Sequence, residues 1–247
     1  MTDLLLMSNS TAYRGAMFAH AGAALREVAA GDVVTFVPFA RDDWDGYFDV
    51  VSAALGAIGI DVVSAHRCAE PDRAIADAQV LMMGGGNTFR LLAALHGLGI
   101  MEVVRDRVRE GATRYMGASA GTNVACPTIR TTNDMPICLP PTFSALGLLP
   151  FQINPHYFDV DPDSIFMGET RDERLVEFLE HNDCPVLALY EGSWLRVSNG
   201  SATLSGPARL FDRSGVRPFE TGADLSHLLR VIPSFDTRSS PRGRETG

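Results

Sequence analysis

An α/β fold is the class this sequence predicts, with a parallel sheet, helices on both faces and antiparallel hairpins at the C-terminal end. Three observations predict it. Short apolar, β-rich runs recur at residues 4–7, 33–38, 60–63, 80–83, 115–117, 151–154 and 186–190, and segments of helical period lie between the first five of them. Beyond Trp194 the texture changes to short strands separated by polar turns. Alternation of strand and helix implies right-handed crossovers and a parallel sheet covered on both sides.

Taken in order, residues 4–7 (Leu-Leu-Leu-Met) form an unbroken apolar run, as expected of a strand buried on both faces. Residues 11–29 place Ala16, Ala19, Ala23 and Val28 within reach of one helical face, and residues 49–58 do the same with Val50, Ala53, Ala54 and Ala57. The mostly apolar stretch 91–104 predicts a third helix, and an amphipathic helix beginning near Arg171 carries Leu175, Val176 and Phe178. Residues 194–197, 202–204, 208–211 and 216–219 read as hairpin strands, separated by Asn199-Gly-Ser201, Ser205-Gly-Pro207 and Arg213-Ser-Gly215. Residues 1–233 are expected to form one domain, and 234–247, rich in Ser, Arg, Gly, Pro and Thr, a disordered tail.

Composition narrows the function. The chain has 247 residues, 46% of them hydrophobic, enough for a sizeable core. Thirty acidic residues against 21 basic give a net charge of -9, and the basic residues are scattered, so nucleic acid is not an expected partner. The N-terminus carries Asp3 where a secretory signal needs basic charge, and no run reaches the roughly 18 apolar residues of a membrane span. Cys68, Cys126, Cys138 and Cys184 lie far apart, which predicts free thiols in a cytoplasmic protein rather than a zinc site.

Gly117-Ala-Ser-Ala-Gly121 follows a strand and precedes small residues able to open a helix. Such a turn holds its central residue, Ser119, strained and exposed as a nucleophile, with the Ala120 N–H where an oxyanion would form. His156, at the end of an apolar strand, is the best placed of six histidines to act as its base, since the other five fall in helical patterns or on the surface. Two acids compete to orient it. Asp134 would give the chain order Ser, Asp, His, whereas Glu191 ends the buried run 186–190, is rigidly aimed, and is preferred. Gly84-Gly-Gly-Asn-Thr88, between a strand and a helix, offers backbone N–H groups for a second oxyanion donor, and lacks the residues of a Walker loop.

Together with Thr131 to Pro136, Asn154-Pro-His-Tyr-Phe-Asp159, Gly168-Glu-Thr-Arg-Asp-Glu-Arg174 and Glu191-Gly192, these motifs resemble the peptidase E, or aspartyl dipeptidase, family in their order along the chain. The resemblance spans about residues 4–219. It implies a flavodoxin-like sheet akin to class I glutamine amidotransferases, with serine in place of cysteine, and hydrolysis of dipeptides with an N-terminal aspartate. It implies Ser119 as nucleophile, His156 as base and Glu191 as acid, although Asp134 also matches a family position. Gly85 or Gly86 would join Ala120 in the oxyanion hole, and Arg171 would recognise the aspartate. It implies no metal or organic cofactor and a small peptide substrate; a homodimer is left open. Two rivals follow from the same motifs, a cyanophycinase-like hydrolase of β-aspartyl-arginine links and a non-catalytic flavodoxin-like binding module.

Overall fold

The computed structural model describes residues 2–160 and 167–237. Eleven strands appear among them. The main sheet has seven, in the order β3-β2-β4-β5-β1-β8-β9, with β1 (Leu4–Met7), β2 (Val34–Val37), β3 (Val62–Ser64), β4 (Val80–Met83), β5 (Arg114–Ala118), β8 (Trp194–Ser198) and β9 (Ser201–Ser205). Its first five strands run parallel, and the β8–β9 hairpin adds antiparallel to β1. A second, four-stranded sheet has the order β11-β10-β7-β6, from β6 (Gln152–Tyr157), β7 (Val186–Tyr190), β10 (Ala208–Asp212) and β11 (Gly215–Phe219).

The period-two alternation of strand side chains builds the layers. Leu4 and Leu6 enter one hydrophobic cluster and Leu5 and Met7 the other, all four fully buried; β4 divides likewise, with Leu81 and Met83 opposite Val80 and Met82. The Leu5 face is covered by α1 (Gly22–Ala29), through Leu25 and Val28, and by α2 (Trp44–Ala57), through Val51 and Leu55. Against the Leu4 face pack α3 (Pro71–Ala76), α4 (Thr88–Gly97), α5 (Met101–Glu110) and α6 (Ala120–Ala125), and Ile153, Leu187 and Leu210 of the second sheet join the same cluster. The outer face of that sheet buries Tyr157, Val186 and Phe211 against Leu175 and Leu179 of α7 (Arg171–His181).

Three expectations need correction. The helix expected over 11–29 begins only after a 3-10 turn at Ala19–Ala21. Before it, Phe18 adopts a left-handed conformation that an α-helix cannot contain, and its ring is buried in the core while its N–H donates to the Ser10 carbonyl. The single helix expected over 91–104 is two, α4 and α5, separated by Gly99 at φ 68°. The runs 151–154 and 186–190 do not extend the parallel sheet. They pair in parallel with each other in the second sheet, where β7 also pairs with β10, and the chain crosses to the main sheet only in the short turn from β7 to β8.

At the chain's end, Ser234 bridges to Asp183, and Asp236 takes a two-pronged ion pair from Arg130 at 2.8 and 2.9 Å. The first residues of the expected tail are therefore tied to the body; 238–247 lie outside the described residues.

Candidate active site

Ser119 sits between β5 and α6 at φ 53° and ψ −107°, a conformation that costs a non-glycine residue on the order of 1–3 kcal/mol. Its surroundings enforce it. The Ser119 N–H donates to the Met7 carbonyl at 3.1 Å, and its own carbonyl accepts from the N–H groups of Thr122 and Asn123. The turn closes so tightly that a Cβ on Gly121 would lie 2.1 Å from the Met83 carbonyl oxygen, which is why α6 begins with small residues.

His156 comes from the other sheet. It lies in β6 where the register with β7 slips between Asn154 and Tyr157, and its φ of 56° turns the imidazole out of the strand. The Ser8 hydroxyl, just beyond β1, accepts from the His156 N–H at 2.8 Å and donates to the Leu189 carbonyl of β7 at 2.9 Å. One side chain thereby joins the end of the main sheet to β6 and β7, the two neighbouring parallel strands of the second.

The imidazole lies between two partners. Nδ1 is 2.9 Å from Oε1 of Glu191, and Nε2 is 2.9 Å from Oγ of Ser119. An ionised carboxylate only accepts, so Nδ1 carries the proton and Nε2 accepts from the serine hydroxyl. Glu191 stands on the turn where the chain leaves β7 for β8, and the following Gly192 N–H is held by Asn9 Oδ1 at 2.8 Å.

Asp134 is engaged elsewhere. Its Oδ2 accepts from the N–H and hydroxyl of Thr88 at 2.8 and 2.6 Å and from the Thr132 hydroxyl at 3.2 Å, which fastens the 130–136 loop to the start of α4.

The glycine loop lies beside the serine. A Cβ on Gly85 would be 3.3 Å from that of Ser119, and Gly86, at φ 142°, leaves no room for one against the Ala40 carbonyl. The N–H groups of Gly84 and Asn87 donate to the carbonyls of Val37 and Ala40, and that of Gly85 faces the Tyr47 hydroxyl. This leaves the N–H of Gly86, together with that of Ala120 in the first turn of α6, for an incoming oxyanion.

A cleft of about 350 Å³ has Arg130, Asp134, Asn154, Arg171, Arg174 and Phe178 in its wall; Asn154 shares β6 with His156, and Arg171 feels the charge of Glu191. Arg130 is paired with Asp236, and Arg174 lies 3.6 Å from Glu169. Arg171 has no carboxylate partner among the described residues. Its Nε is buried without an acceptor, and its guanidinium lies 4.7 Å above the Phe158 ring. Burial draws its pKa below the usual guanidinium value and Arg174 adds to that, while Glu191 opposes it. It also occupies the first turn of α7, capped by the reciprocal pair Thr170 and Glu173, where the helix dipole disfavours a cation. A guanidinium so placed is suited to an anion brought from outside.

These features have relatives. A model of peptidase family S51 matches residues 4–205.

The chain belongs to peptidase family S51.

Among its relatives is "Peptidase E" of Streptomyces coelicolor, 52% identical over 240 residues, which are 95% of this chain and 98% of that protein. Another, from Drosophila melanogaster, bears the name "Probable alpha-aspartyl dipeptidase" and is 42% identical over 92% of this chain and 98% of its own length. The crystal structure of a peptidase from an acI-B1 actinobacterium shares the fold, with a TM-score of 0.65 over 91% of this chain and 96% of that one at 12% identity.

The geometry of this S51 member brings Ser119, His156 and Glu191 together, with Gly85, Gly86 and Ala120 beside them and Arg171 in the wall of the cleft. Sequence reasoning missed Ser8, Asn154 and Phe158. Asn154 and Phe158 lie within a motif already singled out and were marked by that proximity alone, whereas nothing local marks Ser8, whose partners are more than a hundred residues away.

Proposed function

We propose that this chain is a serine-type dipeptidase that hydrolyses Asp-Xaa dipeptides through an acyl-enzyme on Ser119. The observation that carries this reading is the Ser119–His156–Glu191 chain of hydrogen bonds together with a cleft whose Arg171 has no carboxylate partner among the described residues. The printed names of the Streptomyces and Drosophila relatives support the same substrate class.

In this reading the Ser119 Oγ attacks the peptide carbonyl carbon while His156 Nε2 takes the hydroxyl proton, and Glu191 stabilises the imidazolium formed. The carbonyl oxygen, now an anion, is met by the N–H groups of Gly86 and Ala120. As the carbon–nitrogen bond breaks, the imidazolium returns the proton to the leaving amine; water then repeats the sequence on the ester, releasing aspartate. Arg171 binds the β-carboxylate and sets the register of the acyl carbon over Ser119. No step calls for a metal or an organic cofactor. We place the enzyme in the cytoplasm; among the described residues, no helix is long and apolar enough to cross a membrane.

A cyanophycinase-like activity would need acidic residues to receive arginine side chains. Among the described residues the cleft wall presents three arginines and one carboxylate, Asp134, already held by Thr88, which disfavours that reading.

The test is hydrolysis of a panel of Asp-Xaa, Glu-Xaa, Asn-Xaa and acetyl-Asp-Xaa peptides by wild type and Ser119→Ala. Wild type is expected to cleave the Asp-Xaa peptides alone at appreciable rate. Loss of a triad nucleophile leaves on the order of a thousandth of the activity or less. Substantial turnover by folded Ser119→Ala, or equal turnover of Asn-Xaa and Asp-Xaa by wild type, contradicts the proposal.

A further inference from the structure

Asn154, only 2% exposed and in the wall of the cleft that holds Arg171, carries a second unsatisfied group, its side-chain carbonyl. Its orientation follows from its neighbours. The Pro155 carbonyl can only accept, so the group reaching it at 2.8 Å is the amide nitrogen of Asn133, which turns Asn133 Oδ1 toward Asn154. Asn154 in turn faces two acceptors, the Thr131 carbonyl at 2.8 Å and Asn133 Oδ1 at 2.9 Å, so its Nδ2 occupies that side. Its Oδ1 is left on the other, buried and without a donor among the described residues. A buried carbonyl of this kind is costly to leave unpaired, and native structures keep few of them.

A dipeptide with an N-terminal aspartate brings the missing donor. Its α-ammonium lies two carbons from the carboxyl carbon that Arg171 would receive, and it carries three N–H groups with no acceptor of their own. Asp134, the one carboxylate in the wall among the described residues, already accepts three hydrogen bonds on Oδ2. Asn154 precedes the imidazole by two residues on the same strand, so the residue that would hold the amine and the one that would hold the proton share one rigid support.

We propose that Asn154 Oδ1 accepts a hydrogen bond from the substrate's α-ammonium and thereby makes the site selective for a free N-terminus. This rests on the Asp-Xaa reading above. Arg171 and Asn154 then read the two ends of one aspartate, and a residue inside a longer peptide, whose nitrogen is acylated, lacks the charged donor.

The experiment compares Asp-Leu with succinyl-leucine, which keeps the β-carboxylate and the scissile bond and lacks only the amine, on wild type, Asn154→Ala and Asn154→Asp. A hydrogen bond to a charged group predicts that wild type prefers Asp-Leu by about 10- to 100-fold in kcat/KM. Asn154→Ala should lower kcat/KM for Asp-Leu by about that factor and for succinyl-leucine by less than about threefold, a coupling that loss of structure alone does not produce. Asn154→Asp keeps an acceptor oxygen toward the amine but turns a second one to the Thr131 carbonyl and Asn133 Oδ1, so its absolute rate should fall while its preference for Asp-Leu over succinyl-leucine is retained. Labelling of Ser119 by a small fluorophosphonate should be equal in all three proteins. Equal losses on both substrates in Asn154→Ala, loss of the preference in Asn154→Asp, or a wild type indifferent to the amine overturns the assignment while leaving the Asp-Xaa reading intact. Wild type that is labelled at Ser119 and cleaves neither compound overturns that reading and this assignment with it.

Discussion

At the scale of single residues, the division of labour between Glu191 and Asp134 is set by hydrogen bonds. Glu191 meets the imidazole, so Glu191→Gln replaces an acceptor that stabilises the imidazolium with a neutral amide and should lower kcat by orders of magnitude with little change in KM. Asp134→Asn should act on stability instead, because it weakens the cap on α4, at a cost of about 1 kcal/mol by urea unfolding. A ranking in which Asp134→Asn has the larger effect on kcat would transfer the role. Arg171 supplies a second contrast. Arg171→Ala should lose most of kcat/KM for Asp-Leu while Ser119 stays reactive toward a fluorophosphonate that makes no use of the arginine. Lys should not restore it, since an ammonium lacks the planar fork. Unimpaired cleavage of Asp-Leu by Arg171→Ala would remove it from recognition.

At the scale of elements, the turn from β5 into α6 and the helix α2 respond to the same substitution in opposite ways. Gly121→Ala places a methyl group into the Met83 carbonyl and should destabilise by at least the 1–3 kcal/mol typical of overpacking. Gly56→Ala, in the last turn of α2 with open space around it, should stabilise by about 0.5–1 kcal/mol. Thermal unfolding of the pair checks both signs. The strands were legible because burial on two faces leaves an unbroken apolar run, as in Leu4 to Met7, and their ends follow from the next polar or turn residue. The helix expected from residue 11 was not, because periodicity registers where Ala16 and Ala19 would point and not that Phe18 leaves the helical region to fill the core. Ser119 and His156 were legible through strand ends and small neighbours. The choice between Glu191 and Asp134 was not resolved by spacing, since each is decided by a contact across more than thirty residues of chain.

At the scale of the molecule, the layers govern which groups solvent can reach. Cys126 and Cys184 are sealed in the core, and burial pushes the Cys184 thiol up to about 12 and that of Cys126 higher still, whereas Cys68 and Cys138 are partly exposed. The folded protein should therefore react with a thiol reagent at two positions and expose the other two only on unfolding; rapid modification of Cys126 in the native state would contradict this packing. The layering also dictates when the enzyme becomes active. Ser119 directly follows β5 of the main sheet, His156 belongs to the second, and Glu191 to the turn between them, with the Ser8 hydroxyl as the rivet. A chain emerging from the ribosome completes the strand that ends at Ser119 before His156, 37 residues later, has been made, and Glu191 follows after that. In the proposed mechanism Ser119 gains its base only when the sheets dock, so a half-folded copy should not yet hydrolyse peptides. Catalytic competence reports the joining of the two sheets, and in mild denaturant turnover should vanish before the far-ultraviolet helix signal does.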